Sequence, residues 1–330
     1  MPTKRTLRLV NDSTGRLLAG RYRLGAVVEQ GTLSTTHDAY DIETREAVAI
    51  ELLTRPKGAG LPSAKLLRRE ARRIVDTKHA GLRAARTVGV DGGVPFIVVE
   101  PLAGESLRQR LLRSGALSVA ETLAITLQVI DAVAAAHAAG LAHGNLKPEK
   151  IRLTSASNGK PVAKVMGIGV TALLGTMSAV DTRTLGTPPY LAPEQLTDAG
   201  GDADALTDVW TLGLLVFEML TGRRAFEGAS ADEVARRIST AGTLRMRHLR
   251  PNVPVALEQI VNATLAKSRE QRLSLRDLRR ALLDVQTACT TDEMRVPAAP
   301  TRIVNLSDPC DDVEGTTDLH VWVETDLGSL

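Results

Sequence analysis

Residues 208–226 read DVWTLGLLVFEMLTGRRAF, and residues 186–195 just upstream read GTPPYLAPEQ. The longer stretch is apolar at nearly every position from 208 to 222, with Asp208 and Glu218 its only charges there, and predicts a helix over 205–221. Working outward, helices are expected over 231–239, 255–266 and 274–286. Ser230 and Glu233 stand at capping-box spacing before the first of these. Upstream, SVAETLAITLQVIDAVAAAHAAG opens with Ser118 and Glu121 at the same spacing and closes at Gly140, which suits a central core helix. ESLRQRLLR, at 105–113, adds a short one.

The first hundred residues have a different period. RYRLGAVVE, STTHDAYD and EAVAIELL alternate and are rich in β-branched residues, with a turn at Gln30 and Gly31, and read as a β-meander. SAKLLRREARRIVDT places Leu66, Leu67, Ala71, Ile74 and Val75 at helical spacing, and VGVDGGVPFIVVE reads as a hairpin turning at Asp91 and Gly92. A small β-rich unit with one helix thus precedes a large helical one, an α+β arrangement.

Composition narrows the function classes. The 330 residues, 43% hydrophobic and 24% charged, are those of a globular chain of one or two domains. Eight aromatics leave the core to aliphatic side chains. The most apolar stretches, 125–142 and 205–220, are interrupted by Asp131 and His137 or by Asp208 and Glu218, so no membrane span is expected. Without a secretory leader pattern or metal-type spacing of Cys289 and Cys310, a reducing cytoplasm is expected. Residues 291–330 carry nine acids and two bases, −7, against +3 for the whole, which leaves +10 elsewhere. Of the 41 bases 32 are arginines spread along helices, with few aromatics to stack on bases, so nucleic acid is not an expected partner.

VAIELL, HGNLKPEKIRL, GTPPYLAPEQ and DVWTLGLLVFEMLTGRRAF, in this order, resemble segments of the protein-kinase family, most closely bacterial serine/threonine kinases. The resemblance spans roughly 21–286. It implies a two-lobe fold: a β-rich N-lobe over 21–100, a hinge at 100–103 and a helical C-lobe over 104–286. A basic extension over 1–20 and an acidic tail over 287–330 lie outside it, and VNLSDP and LHVWVET in that tail could pair as strands.

Phosphoryl transfer needs a clamp on the phosphates, metal ions held by acids, and a carboxylate beside the attacking hydroxyl. Carried onto this sequence, those positions depart from the family pattern. The glycine-rich loop becomes Glu29-Gln30-Gly31-Thr32-Leu33-Ser34, with one glycine of three. The strand lysine becomes Glu51. A carboxylate about 4 Å from a phosphate oxygen opposes it by about 4 kcal/mol per unit charge at an effective dielectric near 20. Glu70 is the acid that would have paired with that lysine, so two carboxylates would face each other unless the helix rotates or Arg73 intervenes. The general base becomes Asn145 and the metal-binding asparagine becomes Lys150; an amide cannot take the proton, and an ammonium cannot ligate magnesium. The metal-binding aspartate becomes Gly167, and Gly144 replaces an arginine that reads activation-loop phosphate. Lys147 is retained.

The resemblance also implies a vestigial ATP pocket at Val28, Gly31, Thr36, Ala49, Val99, Glu100, Leu102 and Arg152, with Arg152 snorkelling out or filling it. Glu70, His143, Glu194, Asp208 and Arg272 are implied as structural groups. The reading that follows is a pseudokinase, a catalytically inactive kinase homologue serving as signalling scaffold, allosteric regulator or phosphorylation target, with no cofactor and no metal expected. The alternative is an active but atypical serine/threonine kinase or other phosphate-group transferase, using ATP and Mg, with Lys147, Lys150 or Arg152 on phosphate and Glu51 or Glu29 on metal. Expected partners are signalling proteins, among them an active serine/threonine kinase or a phosphothreonine-binding domain acting on Thr171, Thr176, Ser178, Thr182, Thr184, Thr290, Thr291, Thr301, Thr316 or Thr317.

Overall fold

A computed structural model describes residues 15–55, 58–156, 159–177, 188–196, 203–242 and 244–288. The alternating N-terminal segments become strands β1 (Leu17–Leu18), β2 (Tyr22–Gln30), β3 (Ser34–Asp41) and β4 (Glu46–Leu53), then helix α1 (Ala64–Asp76), then β5 (Ala85–Asp91) and β6 (Val94–Val99). They form one antiparallel sheet in the order β1-β2-β3-β4-β6-β5. Period-two alternation along β4 sorts its side chains. Val48 and Ile50 join Leu24, Phe96 and Val98 on the outer face, and Ala49 and Leu53 join Ile97, Val99 and Ile74 of α1 on the inner one. Glu51 has the inner parity, opposite Thr36 and Ile97, and is buried there.

After β6 the chain makes a short strand β7 (Glu105–Ser106), then α2 (Leu107–Ser114) and α3 (Val119–Ala138). The helix expected from residue 105 therefore begins two residues later, because Glu105 and Ser106 pair with β8 (Ile151–Ser155), which also pairs with β9 (Pro161–Val165). Neither β8 nor β9 was expected from the sequence. Helices α4 (Val170–Leu174), α5 (Ala205–Thr221), α6 (Ala231–Thr240), α7 (Met246–Leu249), α8 (Val255–Thr264) and α9 (Leu275–Ala288) complete the larger lobe.

Helix α5 runs through the middle of that lobe, with residues Thr207 to Leu220 buried all round. Gly213 lets it approach α8: a Cβ there would lie 2.0 Å from the Thr264 hydroxyl. Helix α3 is long and apolar enough to cross a membrane by length and composition, and 61% of its most apolar window is buried in this core. Both expected capping boxes are half-formed. Ser118 and Ser230 accept from the backbone N–H of Glu121 and Glu233, but Glu121 turns to Arg110 and Glu233 to Arg237 and the Ala229 N–H. The ionic partners outcompete the reciprocal backbone bond. VNLSDP, LHVWVET and the terminal extensions lie outside the described residues.

Candidate functional site

The inner face of the sheet looks onto the loop from His143 to Lys150, and that loop is held from below. Asp208, in the first turn of α5, accepts from the backbone N–H of His143 and of Gly144, each at 2.8 Å, and lies 2.8 Å from His137 Nε2. Gln195 Nε2 donates to the Gly144 carbonyl. His143 Nε2 is 2.9 Å from the Met166 carbonyl, and burial pushes its imidazole below the ordinary range, so it sits neutral as a strut. Glu194 and Arg272 make a two-pronged pair at 2.8 and 3.1 Å, with the Arg272 side chain fully buried and its guanidinium 5.2 Å from the Trp210 ring centre. The structural roles assigned to Asp208, His143, Glu194 and Arg272 thus have matching contacts.

The cleft between the lobes is different from what two facing carboxylates would make. Lys150, at the end of a short 3-10 turn over Pro148–Lys150, sends its ammonium up to the N-lobe. Its Nζ lies 2.8 Å from Glu29 Oε1 on β2 and 3.5 Å from Glu51 Oε1 on β4. Ser34 Oγ donates to the same Glu51 oxygen at 2.7 Å. Burial alone would raise the Glu51 carboxyl, but the Lys150 charge and the Ser34 hydroxyl hold it below its usual range. Burial would likewise lower Lys150, and the two glutamates outweigh it and raise the ammonium. Glu70 is buried separately, satisfied by Arg69 Nε at 2.7 Å and Arg73 Nη1 at 3.4 Å from its own helix. Of the two carboxylates Arg73 contacts Glu70 alone, and Glu51 is met by Lys150 and Ser34 instead.

The hinge end is ionic as well. Arg83 Nε donates to the Glu100 backbone carbonyl at 2.9 Å, the carbonyl that the family resemblance would offer to an adenine. Burial lowers the Arg83 guanidinium, with Glu51, Glu29 and Glu100 opposing that. Glu100 Oε1 takes the Lys164 ammonium at 2.6 Å and the Ala84 N–H at 3.1 Å. Arg152 Nη1 donates to the Gly104 carbonyl at 3.1 Å in an exposed bond, and its Nε is buried without a hydrogen-bond partner. Of the remaining pocket positions Ala49, Thr36 and Val99 are buried beneath the sheet, Leu102 is half-buried, and Val28 is exposed because β2 bulges around it.

These side chains leave little room. A cavity of about 10 Å³ lies between Gly31, Ser34, Asn145, Lys147, Lys150 and Gly167. A second, also about 10 Å³, lies behind it between Glu51, Arg83, Ile97, Val99 and Ile168. Each has the size of about one water, whereas drug-sized ligands take roughly 300–1,000 Å³. Neither of these two cavities has the volume that a nucleotide takes. Gly167 has φ +82°, a left-handed backbone that strains any side chain, and a Cβ there would lie 3.5 Å from Glu51 Oε1 and 3.6 Å from the Lys150 stem. A carboxylate placed at 167 would enter an occupied charge pair. No cluster of three or more His, Cys, Asp or Glu suited to a metal occurs among the described residues.

Sequence reasoning missed three groups. Arg83 was not considered because its nearest neighbours in sequence are apolar. The Arg108 guanidinium joins Glu149 at 2.8 Å, Glu218 at 2.6 Å and the Tyr190 hydroxyl, which itself donates to Glu218 at 2.7 Å. Lys150 was weighed as a lost metal ligand and as a phosphate clamp, not as the partner of Glu51. A new carboxylate at 51 together with a new cation at 150 was the available signal. Thr171 and Thr176, named as modification sites, have hydroxyls donating to the His143 and Leu173 carbonyls, and Thr176 is buried. Ser178, Thr182, Thr184, Thr290, Thr291, Thr301, Thr316 and Thr317 lie outside the described residues.

A family model described as "Protein kinase domain" matches residues 22–282. The serine/threonine-protein kinase PknL of Mycobacterium tuberculosis is 31% identical over 284 residues, covering 86% of this chain and 70% of PknL. The serine/threonine-protein kinase PrkC of Bacillus subtilis is 30% identical over 281 residues, covering 85% of this chain but 42% of PrkC. Among solved structures, the Mycobacterium tuberculosis PknI kinase domain superposes with a TM-score of 0.63 at 21% identity, covering 82% of this chain and 98% of that one, a likeness of fold.

Proposed function

The chain belongs to the protein kinase family, and on that footing we propose that it is a non-catalytic member, working through its surfaces as a scaffold or allosteric regulator of signalling proteins in the cytoplasm. The observation that carries this is the Lys150 ammonium spanning the cleft to Glu29 and Glu51. In a phosphotransferase those positions serve nucleotide and metal; here they neutralise each other. Arg83 on the Glu100 carbonyl supports the same reading at the hinge. With an amide at Asn145 and no side chain at Gly167, neither a general base nor an acidic metal ligand stands where the family has them.

The relatives favour a second reading, and on likeness alone it stands ahead. They are named serine/threonine-protein kinases, and an atypical kinase or other phosphate-group transferase could use Lys147, Lys150 or Arg152 on phosphate and Glu29 or Glu51 on metal. It requires the ion cluster to open. Titration of the full chain with ATP, with and without magnesium, separates the two by thermal unfolding. A ligand at 100 times its dissociation constant adds about 2.7 kcal/mol to stability. The non-catalytic reading expects no shift in the unfolding temperature and no transfer of labelled γ-phosphate to any protein acceptor. Transfer that disappears in Lys147→Ala would establish the second reading.

A further inference from the structure

We infer that the outer face of α1 and the groove beneath its end form a docking surface for the acidic segment 303–330 of this same chain. Helix α1 carries five bases and two acids, a net +3 over 13 residues. Lys65, Arg68, Arg69 and Arg72 recur at three- and four-residue spacing on the face turned away from the buried Glu70 and Ile74, and all four are exposed. Arg69 is paired with Glu70, while Lys65, Arg68 and Arg72 have no ion pair among the described residues. Such a concentration of cation on one helix repels itself unless an anion covers it.

The face runs into a groove of about 470 Å³, walled by Arg72, Arg73 and Lys78 and floored by Ala135, Ala138 and Ala139 of α3. A second hollow of about 410 Å³ continues it past Thr77 and Lys78 to the Lys164–Glu100 ion pair, which is already neutral. The alanine floor admits side chains where longer residues would close the gap, and the walls carry three cations beside Asp76 and Thr77. The chemistry selects an extended acidic peptide with a few apolar residues.

Segment 303–330 has that chemistry. It contains Asp308, Asp311, Asp312, Glu314, Asp318, Glu324 and Asp326 and no lysine or arginine, with Val304 and Leu306 just before the first acid. It can also reach. The described chain ends in α9, which packs on α3 through Arg279 and Asp131. The twenty residues from Ala288 to Asp308 span up to about 70 Å when extended, more than the roughly 50 Å breadth expected of a compact domain of this size. Tethering supplies a local concentration that a free partner must compete against.

Zero-length carbodiimide coupling of the full chain at low protein concentration, mapped by mass spectrometry with mixed isotopically light and heavy chains, tests this. Carboxylates between 308 and 326 should couple to Lys65 and Lys78 within one chain, in preference to Lys160 and Lys267. The preference should vanish at about 1 M salt, where the screening length falls to about 3 Å. It should also vanish in Arg68→Glu with Arg72→Glu, two exposed positions whose change leaves the thermal unfolding midpoint in place. Coupling spread evenly over the lysines, coupling only between chains, or a pattern unmoved by salt and by the double charge reversal would each overturn the assignment.

Discussion

Replacing Lys150 by methionine keeps the aliphatic stem and deletes the ammonium, leaving Glu51, 2% exposed at its side chain, without its cation. Breaking a buried pair from one side typically costs about 3–5 kcal/mol. Glu51 has an escape, since it can take up a proton. With an ordinary glutamate value near 4.3, that costs about 3.7 kcal/mol at pH 7 but only about 1 kcal/mol at pH 5. The cheaper route sets the loss, so Lys150→Met should destabilise by about 3–4 kcal/mol at neutral pH and by about 1 kcal/mol at pH 5.

The sign follows from linkage. In the native chain Glu51 is held below its ordinary range, so its contribution is present above the unfolded-state value and is lost as pH falls through the folded one. In the variant the carboxyl is raised instead, so stability relative to wild type recovers on acidification. Urea unfolding of both proteins at the two pH values measures this, and a thermal shift of about 6–16 °C should accompany the neutral-pH loss. Glu51→Gln combined with Lys150→Met should restore most of the stability, since the fully buried charge is then gone and the Glu29 carboxylate, 18% exposed, keeps contact with water. A neutral-pH loss under about 1 kcal/mol, a loss equal at both pH values, or a double variant no better than the single one would refute the ion-cluster account.

Three further outcomes follow from other contacts. The Lys267 ammonium lies 4.9 Å from the Trp210 ring centre and 5.0 Å from that of Phe226, and burial, helped by Arg272, lowers its pKa to about 8. Because the unfolded chain binds this proton more tightly, stability should rise between pH 8 and the ordinary lysine value of 10.5, a rise absent in Lys267→Met; reductive ¹³C-methylation read by NMR should titrate near the lower figure. Arg272→Lys loses the two-pronged contact with Glu194 and the bond to the Leu206 carbonyl inside the core, and should cost about 3–5 kcal/mol in chemical denaturation. Gly213→Ala drives a methyl into the Thr264 hydroxyl and should cost about 1–3 kcal/mol, regained in part by adding Thr264→Ala.

What was legible in the sequence was local. Strand period two around 22–53 and helical period around 64–76, 119–138 and 205–221 come from single segments sorting apolar from polar residues, and each element formed within a residue or two of expectation. The weak segments were short ones. Strands β8 and β9 are five residues each and pair with one another, while β8 also takes the two-residue β7 from more than forty positions earlier. The residue types at 51, 145, 150 and 167 were legible too, because residue identity alone decides whether a side chain can ligate a metal or accept a proton.

Sequence by itself therefore determined the two-lobe kinase architecture and the residue types that line its cleft. Tertiary structure alone decided what those groups do to one another: that Glu51 meets Lys150 across 99 positions rather than Glu70, that Arg83 takes the Glu100 carbonyl, and that Arg108, Tyr190 and Glu218 share one buried network. The reason is that periodicity reports which face of an element is buried, whereas the partner of a buried charge depends on which faces meet, and in a desolvated cleft that partner sets both the charge state and the space left for any ligand.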